Sequence, residues 1–285
     1  MPDFPAIREI ATFLERWAPR STAQSYDNVG LQVGDPDARV ERAVIALDMT
    51  PAVLEEAISI EASLVITHHP LLFHPLTHVT TTTFVSNLAY RLAANGIGLY
   101  SIHTNLDAAS GGVSYALGRQ LGLTDMNFLD VFTPDGDAPD LTASNVDEIG
   151  FGAIGRLNEP MRLHDFLGHV ADCLKTPSLR YVGDPAASVE HVAVCGGAGS
   201  DLIEKAAAAN ADAYVTADVT YHDYFSALDR DGLPRLAFID AGHYETEAVT
   251  ESLLAGELQE RFPDAAWRRT RTRTSPVRTF VVQPQ

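Results

Sequence analysis

Leu64-Val65-Ile66-Thr67 is an apolar, β-branched run that stops abruptly at His68-His69-Pro70. Pro70 has no N–H to give to a ladder, so a strand here must end at it. Two imidazoles are thereby delivered to a strand terminus, where open α/β sheets keep their ligand-facing groups. Adjacent residues on an extended chain point to opposite sides. One histidine for each of two metal ions is therefore easier to build than both on one ion. A pair of ordinary loop histidines is the competing reading of the stretch taken alone. Partners elsewhere in the chain decide between the two.

Those partners come from a regular alternation of strands and helices. Apolar residues Phe4, Ile7, Ile10, Phe13, Leu14 and Trp17 form a helical stripe that Pro19 closes. Tyr26-Asp27-Asn28-Val29-Gly30-Leu31-Gln32-Val33-Gly34 predicts a turn leading into a strand. Its glycines lack the spacing of a phosphate loop. Strands are predicted at Ala43–Leu47, Leu64–Thr67 and Ile97–Ile102, with helices over 51–62 and 83–94 and a third ending near Leu121. Asp48 or Thr50 is positioned to cap the helix that Pro51 opens.

Residues 125–148 break this rhythm, and Pro134-Asp135-Gly136-Asp137-Ala138-Pro139-Asp140 reads as a linker or long surface loop between two lobes. Beyond it the pattern resumes, with strands at Ile149–Ile154, Val189–Val194, Ala213–Thr216 and Leu236–Ile239 and helices over 163–174 and 200–210. The turn Cys195-Gly196-Gly197-Ala198-Gly199 is either an anion cradle or a tight strand-to-helix connection; the absence of G-x-G-x-x-G spacing favours the connection. A helix is predicted from His243 to about Leu258. Arg268–Arg273 reads as an exposed connector into a last strand, Val277–Val282. The class is α/β: two α/β lobes with layered mixed, largely parallel sheets. The predicted division is 1–125 plus 240–285 for one lobe and 126–239 for the other.

Three strand ends carry metal-type ligands: His68-His69, His103 with Asp107, and His243 with Glu247. The last pair is spaced i, i+4, so both side chains share one helix face. With only Cys173 and Cys195 in 285 residues, a cysteine zinc cluster or a disulfide framework is excluded. Any metal must be held by histidine and carboxylate. A net charge of -18 argues against non-specific nucleic-acid binding and against docking on anionic lipid. The first residues lack a signal peptide's basic and apolar regions, and no apolar run approaches the ~20 residues of a membrane helix. A cytoplasmic protein is expected.

Five segments together resemble the NGG-one interacting factor three-like family, whose members are also described as type-two homologues of GTP cyclohydrolase I. They are the Tyr26–Gly34 motif, Thr67-His68-His69-Pro70-Leu71-Leu72-Phe73, His103-Thr104-Asn105-Leu106-Asp107, Val194–Gly199 and Gly242-His243-Tyr244-Glu245-Thr246-Glu247. The resemblance implies two divalent ions (zinc, iron, manganese, nickel or magnesium) held by His68, His69, Asp107, His243 and Glu247, inside a toroidal homohexamer. His103 and His222 then fall outside the ligand set, as residues that orient a ligand, position a substrate or serve structure alone. Where the family commonly carries Thr-Gly-Asp or Thr-Gly-Glu, this chain has Thr216-Ala217-Asp218.

Two functions are consistent with these residues. One is a metal-dependent hydrolase of a nucleotide-like or phosphorylated small molecule. The other is a non-enzymatic metal-bearing ring that binds a protein partner or handles metal ions. His74 and His78 follow the His-His-Pro turn and are expected near its approach, while His164, His169 and His191 are expected at the surface or in packing.

Overall fold

The computed structural model describes residues 3–133 and 148–280, and the acidic Pro134–Asp140 segment lies outside them. The described chain forms two compact units. One holds the chain up to Ala109 and again from Thr250 to Pro276; the other holds Ser110–Thr133 and Glu148–Val249.

The first unit is built on a five-stranded sheet of order β1-β4-β3-β2-β11. Its strands are β1 (Gly30–Val33), β2 (Arg42–Ala46), β3 (Leu64–Thr67), β4 (Gly98–Ser101) and β11 (Ala266–Arg269). All neighbours are parallel except β1 with β4. Such strands are apolar along their length because both faces are covered, and β3 and β4 are buried at every position. Val44, Ala46, Val65 and Leu99 pack with Val53 and Leu54 of α2 (Pro51–Ser59) and with Leu88 and Leu92 of α3 (Phe84–Ala94). Alternate residues Ile45, Ile66 and Tyr100 are buried on the opposite face. There the Tyr100 hydroxyl donates to Glu15 of α1 (Ile7–Trp17) at 3.1 Å. Thr50, not Asp48, caps α2, its Oγ1 accepting from Val53 N–H at 3.3 Å.

The second unit is built on a six-stranded sheet of order β5-β6-β8-β9-β10-β7. β8 (Ser188–Ala198), β9 (Ala213–Ala217) and β10 (Ala237–Asp240) are parallel, while β5 (Thr124–Val131), β6 (Gly150–Arg162) and β7 (Arg180–Val182) pair antiparallel. Val192, Val194, Val215 and Ile239 face Leu117 of α5 (Val113–Gln120) and Phe166 and Val170 of α6 (Leu163–Leu174). Ala193, Tyr214 and Phe238, one residue out of phase, face Ile203 and Ala206 of α7 (Ile203–Ala208). The mixed α/β class with two sheets is as expected.

Two segments differ from the sequence reading. β5 occupies 124–131, where the rhythm predicted the start of a linker, because it pairs with β6 and buries Phe128. The last strand lies at Ala266–Arg269 instead of Val277–Val282, since those residues find the open edge of β2, with Trp267 opposite Ala43. Residues 277–280 are not strand, and 281–282 lie outside the described residues. Among the described residues no helix is long and apolar enough to cross a membrane.

Candidate metal centre

In the first unit, β2, β3 and β4 run parallel and end together, so their carboxyl ends place Asp48, His68-His69 and His103 on one edge. The turn after β3 is fixed by the His69 N–H donating to Leu47 O at 3.0 Å and by the Thr67 Oγ1 donating to His69 O at 2.8 Å. Ring nitrogens of His68, His69 and His103 lie within 4.8 Å of one another, a group that could hold a metal ion. Asp107 joins them at the end of α4 (Thr104–Asp107), its Oδ1 3.6 Å from His68 Nε2.

Each ring is anchored through Nδ1. His68, fully buried, reaches Ile102 O at 2.9 Å. A carbonyl only accepts, so His68 Nδ1 carries a proton, and in the neutral ring Nε2 then presents its lone pair. His69 Nδ1 meets Asp48 Oδ1 at 2.7 Å, and His103 Nδ1 meets Asp27 Oδ1 at 2.9 Å. Metal-ligating histidines characteristically donate their other N–H in this way. Asp27 also accepts the Thr104 N–H at 3.1 Å and the Thr104 hydroxyl. Burial pushes its carboxyl up, but the hydrogen bonds from His103 and Thr104 outweigh that and hold it at about 2. Asn105 fastens the same turn, accepting from His103 N–H at 3.0 Å and donating to Ala18 O at 2.8 Å.

In the second unit, His243 opens and Glu247 closes the five-residue helix α8 (His243–Glu247). Their i, i+4 spacing brings His243 Nε2 to 3.0 Å from Glu247 Oε2. His243 Nδ1 is anchored by Asp218 Oδ2 at 2.8 Å, repeating the arrangement of the first unit. Asp218 adopts the left-handed φ of 54° just after β9, while Ala217 keeps an ordinary strand conformation. The position where the family commonly has glycine therefore needs none here. The glycine-rich segment is mostly strand, since β8 runs on to Ala198, and it is closely packed at Gly197. Gly197 donates its N–H to Thr246 Oγ1 at 3.0 Å and sits at φ 65°. A Cβ there would collide with Glu247 Oε1.

The remaining histidines are elsewhere. His222 is exposed beside Tyr221 and Phe225, and His74 and His78 lie on the exposed loop after Pro70. His169 Nε2 donates to Leu121 O at 2.9 Å in packing, and His164 and His191 sit beside Asp165 and Asp212. The sequence reading missed the anchors Asp27, Asp48 and Asp218. For Asp48 the signal was present: it lies two residues past the end of the strand that pairs in register with β3.

An α/β protein with histidines and carboxylates gathered at strand ends, each imidazole fixed at Nδ1, has the donor set of a divalent-metal protein. Residues 5–276 match the model of the Duf34/NIF3 (NGG1p interacting factor 3) family, and the chain belongs to that family. It is 34% identical over 265 residues to a Streptomyces coelicolor protein named GTP cyclohydrolase 1 type 2 homolog, covering 92% of this chain and 89% of that one. A Clostridium acetobutylicum protein of the same name is 33% identical over 256 residues, 89% of each. Among solved structures, a Bacillus cereus protein related to NIF3 superposes with a TM-score of 0.86 at 27% identity, covering 98% of this chain and 100% of that one.

Proposed function

We propose that this chain is a metal-dependent hydrolase of a nucleotide-like or phosphorylated small molecule, with two divalent ions liganded by His68, His69, Asp107, His243 and Glu247. The observation that carries the reading is the common anchoring of imidazoles at Nδ1, to Ile102 O, Asp48 and Asp218 for the three ligand histidines. Each ring thereby offers Nε2 as a neutral donor in a set orientation. Asp107 and Glu247 add the negative charge that a divalent ion needs, and Glu247 is nearly fully buried. When bound, such ions supply Lewis-acid polarisation of a substrate oxygen and activation of water. His103, held by an ionised Asp27, is the group available to hold or pass a proton at Nε2. Assembly as a toroidal homohexamer in the cytoplasm belongs to the same reading.

The test is turnover of metal-reconstituted protein on GTP and on generic phosphoesters, measured beside a His68→Ala/Glu247→Ala variant. Metal-dependent hydrolysis well above the variant's is expected. Equal rates, with metal still bound to the wild type, would sink the hydrolase and leave the metal-bearing scaffold.

A further inference from the structure

The arginine-rich segment is not a featureless connector. Arg268, Arg269, Thr270 and Arg271 line an open cleft of ≈ 700 Å³ together with Glu251 of α9 (Val249–Arg261). That volume falls within the range of small-molecule sites. Three guanidinium groups within four positions are a marked concentration in a chain with 20 basic and 38 acidic side chains. The cleft also has a defined place in the first unit. Arg269 pairs in register with Ile45 and Thr270 N–H donates to Ile45 O at 2.8 Å, so the arginines leave the sheet at the carboxyl end of β2. Asp48, three residues beyond Ile45, is the anchor of His69 and also accepts the Thr274 hydroxyl at 2.7 Å. The cleft and the His68-His69-His103 cluster thus share one edge of one sheet.

The charges around the cleft favour an anion. Arg268 and Arg271 have no carboxylate within ion-pair distance among the described residues, and both are exposed. Arg269 donates to Ser252 Oγ. The neighbouring carboxylates are engaged: Glu56 accepts the Thr270 hydroxyl at 2.6 Å and the Arg271 N–H at 3.1 Å, and Glu251 accepts the Leu47 N–H at 3.1 Å. Burial, chiefly, raises the Glu251 carboxyl to about 7, which lessens its repulsion of an anion near neutrality. Guanidinium forks match the paired oxygens of a phosphoryl group better than they match a monoanion such as chloride.

We propose that this cleft is a phosphoryl-binding site, separate from the metal ligands, in which Arg268 and Arg271 grip a pyrophosphate-type group. Free inorganic pyrophosphate and the tail of a nucleoside diphosphate share that chemistry.

Calorimetric titration of the full chain with pyrophosphate and with ADP tests it, in the wild type, Arg268→Ala/Arg271→Ala and His69→Ala. One pyrophosphate per chain should bind in a way that depends on these arginines, and the arginine variant should lose roughly tenfold or more of that site's affinity. His69→Ala should keep the wild-type affinity. Arg268→Lys/Arg271→Lys should recover only part of the loss, because an ammonium cannot make the fork. Parallel arginine dependence for ADP assigns the site to nucleotide tails; binding of pyrophosphate alone assigns it to the free anion. No binding, unchanged affinity in the arginine variant with its fold intact by circular dichroism, or loss on His69→Ala would overturn the proposal. So would preferential binding of a single-stranded oligonucleotide that displaces pyrophosphate.

Discussion

The two units hold their histidines by different means. In the first, His68 is fully buried at the end of a parallel strand and is anchored by a main-chain carbonyl. In the second, His243 stands on a five-residue helix, about one-third exposed, and is anchored by Asp218, whose side chain is 58% exposed. A carbonyl in a strand neighbour moves only if the sheet moves. A carboxylate on a left-handed turn residue is held by less. His68 is therefore preorganised by the fold itself, whereas His243, like His69 on Asp48, depends on one side chain that can be removed.

The largest effect is expected at His68. His68→Ala removes a fully buried ring nitrogen, and the affinity for metal, read as metal retained after dialysis, should fall by roughly a hundredfold or more. Retention of full metal content would break the contrast at its stronger end. Removal of the anchors should cost less and should grade between the units. Asp218→Ala and Asp48→Ala should each weaken metal binding by about 10–100-fold. Asp48→Ala should lie at the upper end, because Asp48 is less exposed and also ties Thr274. Competition with a calibrated chelator orders the two; a larger loss at Asp218 would reverse the ranking.

A smaller effect isolates the packing of the first unit from its ligands. Glu251 is held near 7, well above an ordinary glutamate, mainly by burial, with Asp48 and Glu56 raising it and the Leu47 N–H and Arg269 lowering it. The folded state thus keeps a proton that the unfolded chain gives up between pH 4.5 and 7. Stability should fall as pH rises through that window, by about 2–3 kcal/mol, and level off above it. Denaturant melts of Glu251→Gln should lack this slope. An identical slope in the variant would mean that other groups set it.

The local geometry of the candidate residues was legible where chemistry coincides with local sequence. Thr67-His68-His69-Pro70 ends a strand as its proline dictates, and the i, i+4 spacing of His243 and Glu247 does place them in contact. The anchors were not legible, because they are contacts across 76, 21 and 25 residues for Asp27, Asp48 and Asp218. Local propensity cannot see such pairs. His103 shows the same limit: the cluster with His68 and His69 exists only once β3 and β4 lie side by side. The last strand was misplaced for a related reason. Val277 and its apolar neighbours have the better strand composition, but Ala266–Arg269 have the partner.

The central claim is that each ligand histidine meets a divalent ion through Nε2 because Nδ1 is already taken. A crystal structure of metal-loaded protein with anomalous data at the metal edge tests it most directly. Two anomalous peaks are predicted, with His68, His69 and His243 coordinating through Nε2 and with Asp107 and Glu247 completing the set. Peaks bonded through Nδ1, or metal bound away from these five residues, would contradict it.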